Sequence, residues 1–174
     1  YFLSDVHLRD DHADRGRRFV RFLRRLNPRE DRLIIAGDLC DFWMGSRTSA
    51  QDLTRDEALA DLSRFQRAGG SLLILPGNHD RWLVPFYEQT LGATILTEPA
   101  VVESHGLRIH IVHGHLLGAR RKWKAAMESW EFFRTFGALP DPAARTLDAI
   151  LEARNRRGVA DDEHRHLAVF RRYA

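Results

Sequence analysis

The decisive stretch is Ser71-Leu72-Leu73-Ile74-Leu75-Pro76-Gly77-Asn78-His79-Asp80. An apolar run of strand length stops at Pro-Gly, and three side chains able to hold metals or move protons follow at once. The same ending recurs along the chain. Phe2-Leu3 runs into Ser4-Asp5-Val6-His7, and Leu33-Ile34-Ile35-Ala36 into Gly37-Asp38-Leu39-Cys40-Asp41. Leu107 to Val112 runs into His113-Gly114-His115, and a turn at His105-Gly106 joins it to a strand at Val101-Val102. Between these runs the apolar spacing is helical. Arg17 to Leu26 presents Phe19, Val20, Phe22, Leu23 and Leu26. Leu53 to Ala68 is closed by Gly69-Gly70, and Trp82 to Leu91 by Gly92. Strands alternating with helices predict an α/β fold. In open α/β sheets, ligands bind at the carboxyl ends of the strands.

Those ends carry carboxylates, imidazoles and one amide, the ligand types of Mn, Fe or Zn. An extended Asp5-x-His7 segment is expected to place both side chains on one side, because side chains alternate along a strand. Asp38 has two carboxylate oxygens and can bridge two ions. Asn78 offers a neutral amide oxygen. Gly37 and Gly77 permit the tight turns that bring backbone close to ions.

With 174 residues, 44% hydrophobic and 29% charged, the chain has the composition of a soluble domain with its own core. It holds no apolar run near the roughly 20 residues of a membrane span, and no signal-peptide pattern. It opens inside an apolar run at Tyr1, so the true N-terminus is expected upstream. Cys40 is the only cysteine, which excludes an intrachain disulfide and favours a reducing compartment such as the cytoplasm. The net charge is +3, and 25 of the 27 basic residues are arginine, the exceptions being Lys122 and Lys124. Guanidinium forks suit phosphate, whether in a small substrate, a nucleic acid or an anionic lipid.

After His115 the pattern changes. Ala119 to Phe136, Ala143 to Arg156 and Asp161 to Tyr173 read as amphipathic helices, interrupted by Gly137, Pro140, Pro142 and Gly158. The expected division is a core over residues 1–115 and a helical lid or insert over 116–174. Trp123, Met127 and Trp130 share a helical face near Phe133, and Arg120, Arg121, Lys122 and Lys124 interleave with them. Such a stripe packs on a core, lies on a membrane surface or over acyl chains, or stacks on single-stranded nucleic acid. Asp41, Phe42 and Trp43 either shape the pocket or pack in the core.

In their order, "SDVHL", "GDLCDFW", "PGNHD" and "VHGH" resemble the calcineurin-like metallophosphoesterases, from Tyr1 to about His115. The resemblance implies a four-layer αββα sandwich with two divalent ions, Mn²⁺ first, Fe or Zn as alternatives. It implies Asp5, His7 and Asp38 at one ion, and Asp38, Asn78 and His113 at the other. His79 becomes the proton donor, with Asp80 or Asp5 orienting it. Arg81 is placed beside a substrate phosphate, or else is a solvated surface residue, and Trp43, Trp123 and Trp130 become substrate contacts. "GDLCDFWMG" further resembles the UDP-diacylglucosamine pyrophosphohydrolases of lipid A synthesis. That implies a nucleotide-diphospho-lipid substrate split to UMP and a lipid phosphate, by a protein peripheral on the inner face of the membrane. Those enzymes typically carry Arg where this chain has His79, and Asp where it has His115. The late Gly-His-x-His motif of the family is missing. His164-Arg165-His166 has the spacing but lies in a helical stretch, so the last core strands are expected beyond this chain. The alternatives are another phosphodiesterase, a nuclease, or a non-catalytic scaffold on the same fold. Nucleic acid is the weaker partner.

Overall fold

The computed structural model describes residues 1–9, 13–115, 129–151 and 153. Trp123, Met127, the first part of the helix expected from Ala119, the helix expected at Asp161 to Tyr173, and His164 and His166 lie outside the described residues. The chain forms two compact units, Tyr1–His113 and Gly114–Ala174.

In the first unit, β1 (Phe2–Leu3), β2 (Arg32–Ala36), β3 (Ser71–Leu75) and β4 (Thr94–Ile95) pair in parallel in that order. The central pair is in register from Arg32 opposite Ser71 to Ala36 opposite Leu75. Both faces of this pair are covered, which is why β2 and β3 read as unbroken apolar runs. Leu33, Ile35, Leu72 and Ile74 point into one core with α1 (Ala13–Leu23) and α4 (Glu57–Arg67). Ile34, Leu75 and the flanking Ala36 and Leu73 point into a second core with Val102 and Ile111. These last belong to an antiparallel hairpin, β5 (Ala100–Ser104) and β6 (Leu107–Ile111). Its turn has φ 51° at His105 and 76° at Gly106, the pair of positive values that suits the twist of a two-residue hairpin loop.

The helices differ in detail from the spacing. The stretch expected as one helix from Leu53 is broken. A short α3 (Ala50–Leu53) ends, and Asp56 then caps α4 by accepting from the Ala58 and Leu59 amides at 2.9 and 3.0 Å. Asp56 competes for backbone donors better than it continues a helix. A helix α2 (Phe42–Arg47), which apolar spacing did not signal, starts on Asp41 as its cap. Trp82 to Leu91 is a composite. A 3₁₀ turn at Arg81–Leu83 leads into α5 (Val84–Phe86) and then a π turn at Tyr87–Leu91. Pro85 has no N–H to continue a regular ladder from the preceding turn. Between α1 and α4, buried Asp61 accepts from Arg24 Nε at 2.8 Å and also binds Arg64.

In the second unit, Ser129 caps α6 (Trp130–Ala138) through the Phe132 amide at 3.1 Å, and residues 141–151 form a further helix. Phe136 and Ala144 are buried there, while Trp130 is 50% exposed and stacks on Phe133. No helix among the described residues is long and apolar enough to cross a membrane.

Replacing Asp56 with Ala should remove both cap bonds of α4 and lower stability by about 1 kcal/mol. The urea midpoint should fall at unchanged slope, with metal uptake as in the parent protein.

Candidate metal centre

Parallel pairing puts the ends of β1, β2 and β3 on one edge of the sheet. The loop after β1 then runs beside the loop after β2. Asp5 N donates to Gly37 O at 3.1 Å, His7 N to Asp38 O at 3.0 Å, and Leu8 N to Leu39 O at 2.9 Å. This ladder, rather than strand alternation, brings Asp5 and His7 beside Asp38. The segment is not extended as the D-x-H spacing suggested. Asp5 has φ 54° and His7 φ 48°, and Asp38 follows at 52°. Non-glycine residues pay roughly 1–3 kcal/mol each to sit there, and such strain collects at functional sites.

Asp38 is 3% exposed and uses its atoms separately. Its Oδ1 accepts the His79 amide at 2.9 Å. Its Oδ2 lies 3.2 Å from His113 Nε2 and 3.8 Å from His7 Nε2. Around His7, Asp5 Oδ1 stands 3.7 Å from the same Nε2. Around His113, Asn78 Oδ1 stands 3.2 Å from its Nε2. Ligands about 2.1 Å from a common ion are themselves roughly 3.0–3.6 Å apart. The spacings at His113 match this, and those at His7 are slightly wide. His113 Nδ1 donates to Ala36 O at 3.2 Å, which turns Nε2 toward Asp38 and Asn78. Two groups of side chains among the described residues have donor atoms close enough to hold a divalent ion, Asp5 with Asp38 and His113, and His7 with Asp41 and His79, and their carboxylates and imidazoles suit such ions.

Charge divides the two rings, and an ion at His113 has to displace a proton that Asp38 holds there. Burial would lower His113, but the hydrogen bond and charge of Asp38, aided by Ala36 O and Asp5, push it up to about 9. Burial would raise Asp38, yet the His113 bond, the charges of His79 and His113, and the His79 amide hold it below the ordinary value. Burial, joined by His79, keeps His7 below its usual value against Asp38, Asp41 and Asp5, so the ring stays neutral as a ligand must.

Two glycines make room. A Cβ on Gly37 would overlap the His113 ring, and one on Gly77 would overlap Asp38 Oδ1 and lie 2.6 Å from Asp38 N.

The remaining expected residues separate. His79 packs edge-on to His7, with centroids 4.9 Å apart. The carboxylate beside its ring is Asp41, whose Oδ2 is 4.0 Å from His79 Nδ1 and 3.7 Å from His7 Nδ1. Both nitrogens are buried without a hydrogen bond. Asp41 had only a general pocket-shaping role in the sequence, although its position three residues after Asp38 was a usable signal. Asp80 is fully buried and bonded to backbone amides of two loops, away from any position where substrate could reach it. Arg81 is exposed and stacks over Trp82 at 4.9 Å. Trp43 is buried, with the guanidiniums of Arg9 and Arg47 at 5.0 and 5.1 Å from its ring. Trp130 and His115 belong to the second unit.

The chain belongs to the calcineurin-like phosphoesterases, whose family model matches residues 1–167. The family comprises hydrolases of phosphoester or pyrophosphate bonds that use divalent metal ions. Among its relatives is the UDP-2,3-diacylglucosamine hydrolase of Nitrosococcus oceani, 30% identical over 97% of this chain and 67% of that protein. The proteins of that name from Aeromonas salmonicida and Ralstonia nicotianae are each 35% identical, over 67% and 69% of this chain. The matches span 45% and 44% of those two proteins, so the chain corresponds to less than half of their length.

Replacing Asp38 with Ala should weaken both ions together, because one oxygen lies between both sets of ligands. Metal content after equilibrium dialysis against Mn²⁺ checks this. One ion retained at parent affinity would remove Asp38 from the bridging position.

Proposed function

We propose that this protein is a dinuclear metal-dependent hydrolase that splits the pyrophosphate of UDP-2,3-diacylglucosamine into UMP and 2,3-diacylglucosamine 1-phosphate. The observation that carries the metal chemistry is Asp38 Oδ2 between the His7 and His113 rings. The substrate rests on the names of the relatives and on "GDLCDFWMG" at Gly37–Gly45.

When bound, two divalent ions, Mn²⁺ before Fe or Zn, lower the pKa of a water and draw charge from the phosphate oxygens. Asp5, His7 and Asp38 would hold one, and Asp38, Asn78 and His113 the other. His79 donates a proton to the departing oxygen, with the Asp41 carboxylate facing its Nδ1 at 4.0 Å. In this reading Arg81 and Trp43 contact the substrate head. Trp130, which stacks on Phe133, takes the acyl chains, and Trp123 is assigned the same role from its sequence spacing alone. The protein works in the cytoplasm, peripheral on the inner membrane face.

A second reading, a diester phosphodiesterase, is favoured by His79 itself. A pyrophosphate expels a phosphate, whose last pKa is about 6, and it can leave without a proton. An alcohol leaving group is far more basic and needs an acid.

The test is UMP release from UDP-2,3-diacylglucosamine with and without Mn²⁺, beside a simple alkyl phosphodiester. Mn²⁺-dependent UMP release is expected. Diester cleavage without UMP release moves the substrate to the second reading, and silence on both with ions bound makes the protein a scaffold. Replacing His79 with Ala should leave both ions in place. Turnover of the diester should fall roughly 10²–10⁴-fold, and that of the pyrophosphate much less.

A further inference from the structure

Asp80 is 0% exposed, yet its carboxylate accepts from four donors. Oδ1 accepts from Gly77 N at 2.8 Å. Oδ2 accepts from Leu39 N at 2.7 Å, Cys40 N at 3.4 Å and the Tyr87 hydroxyl at 2.9 Å. Tyr87 is itself fully buried at the start of the π turn, and brings its hydroxyl to Asp80 from behind. Leu39 and Cys40 directly follow Asp38, and Gly77 directly precedes Asn78. One side chain therefore ties the loop carrying Asp38 to the loop carrying Asn78. Among the described residues the other bond between these loops runs from His79 N to Asp38 Oδ1.

We infer that Asp80, backed by Tyr87, is a positioning residue that sets the separation of Asp38 and Asn78, and so governs one of the two ions. The inference rests on the dinuclear reading above. An ionised carboxylate is acceptor-only, with about four sites, and here four donors meet it. Asparagine has the same shape but one half is a donor. With its amide oxygen on the crowded side, its NH₂ faces the Gly77 N–H. The opposite flip sets that NH₂ against Leu39 N–H, Cys40 N–H and the Tyr87 hydroxyl. The cheaper fault is the single bond at Gly77, the residue next to Asn78. The ladder that joins Asp5, His7 and Leu8 to residues 37–39 does not pass through Asp80. The Asp5–His7–Asp38 site should therefore survive when the Asn78–His113 site loosens.

The experiment uses the whole natural protein, stripped with chelator and titrated with Mn²⁺. Ions per chain are read by equilibrium dialysis, and spin coupling between them by electron paramagnetic resonance. The parent protein should take two coupled ions. Asp80→Asn should keep one at parent affinity and bind the second about 10–100-fold more weakly, the range for lost outer-shell partners of a metal site. An uncoupled six-line Mn²⁺ spectrum should appear at intermediate loading. Tyr87→Phe, which keeps the ring, should shift the same ion by less. If Asp80→Asn does not fold, Tyr87→Phe decides alone, selective weakening upholding the inference. Equal weakening of both ions, or binding unchanged in the variant that folds, overturns it. A parent protein that does not take two ions overturns the dinuclear centre, and the inference with it, and is told apart by being seen before any substitution.

Discussion

The Asp38 carboxylate is the constraint around which the centre is arranged. Its backbone carbonyl holds the His7 amide and its Oδ1 holds the His79 amide, so only Oδ2 faces the imidazoles. Two rings from the segments that follow different strands, β1 and β6, converge on that one oxygen. A side chain with one freely turning oxygen would chelate or swing away. A side chain with the other oxygen tied keeps Oδ2 fixed toward both rings. The glycines follow from this. Gly37 must admit His113 and Gly77 must admit Asp38, and neither approach leaves space for a methyl group.

Strained backbone needs a stiff support. Asp5, His7 and Asp38 all lie at positive φ, and together this costs several kcal/mol on the usual scale. The support is the β2–β3 pair, buried on both faces between α1 and α4 on one side and the hairpin on the other. The strands end in register, at Ala36 and Leu75, so the two loops leave the sheet side by side. The bonds that tie the loops are short and local, from backbone amides to carbonyls and carboxylates. Strain is tolerated where many such bonds fix the same few dihedrals.

The strand ends were legible because apolar runs stop abruptly at Gly-Asp, at Gly-Asn-His-Asp and at His-Gly-His. Parallel order and the common edge followed from the alternation of strands and helices. The geometry inside the loops was not legible. Period-two alternation implied that Asp5 and His7 share a face, but a backbone ladder to a neighbouring loop placed them instead, in left-handed conformations. Nothing in local sequence announces a partner some thirty residues away. The break at Asp56 and the cap at Asp41 were missed for a related reason. A short acidic side chain that bonds backbone amides overrides apolar spacing, and both residues looked like ordinary helix or loop positions. Leu72, Ile74, Phe19 and Leu62, whose environment depends only on pattern, fell where the spacing put them.

Asp41 and Asp80 show why a motif letter does not fix a role. Both are aspartates in loops of the same edge, and each stands within reach of the histidine neighbourhood by sequence. Asp41 has one oxygen on the α2 cap and turns the other toward His7 and His79, at 3.7 and 4.0 Å from their Nδ1 atoms. Asp80 has both oxygens saturated by donors it cannot exchange, with burial and the Asp38 charge raising its carboxyl and the amide bonds opposing them. A group with an open acceptor beside an imidazole can steer chemistry. A group enclosed by backbone amides can only hold atoms in place. The environment of each carboxylate, set by which turn follows it, leaves Asp41 facing two imidazoles and Asp80 enclosed by backbone amides and a hydroxyl.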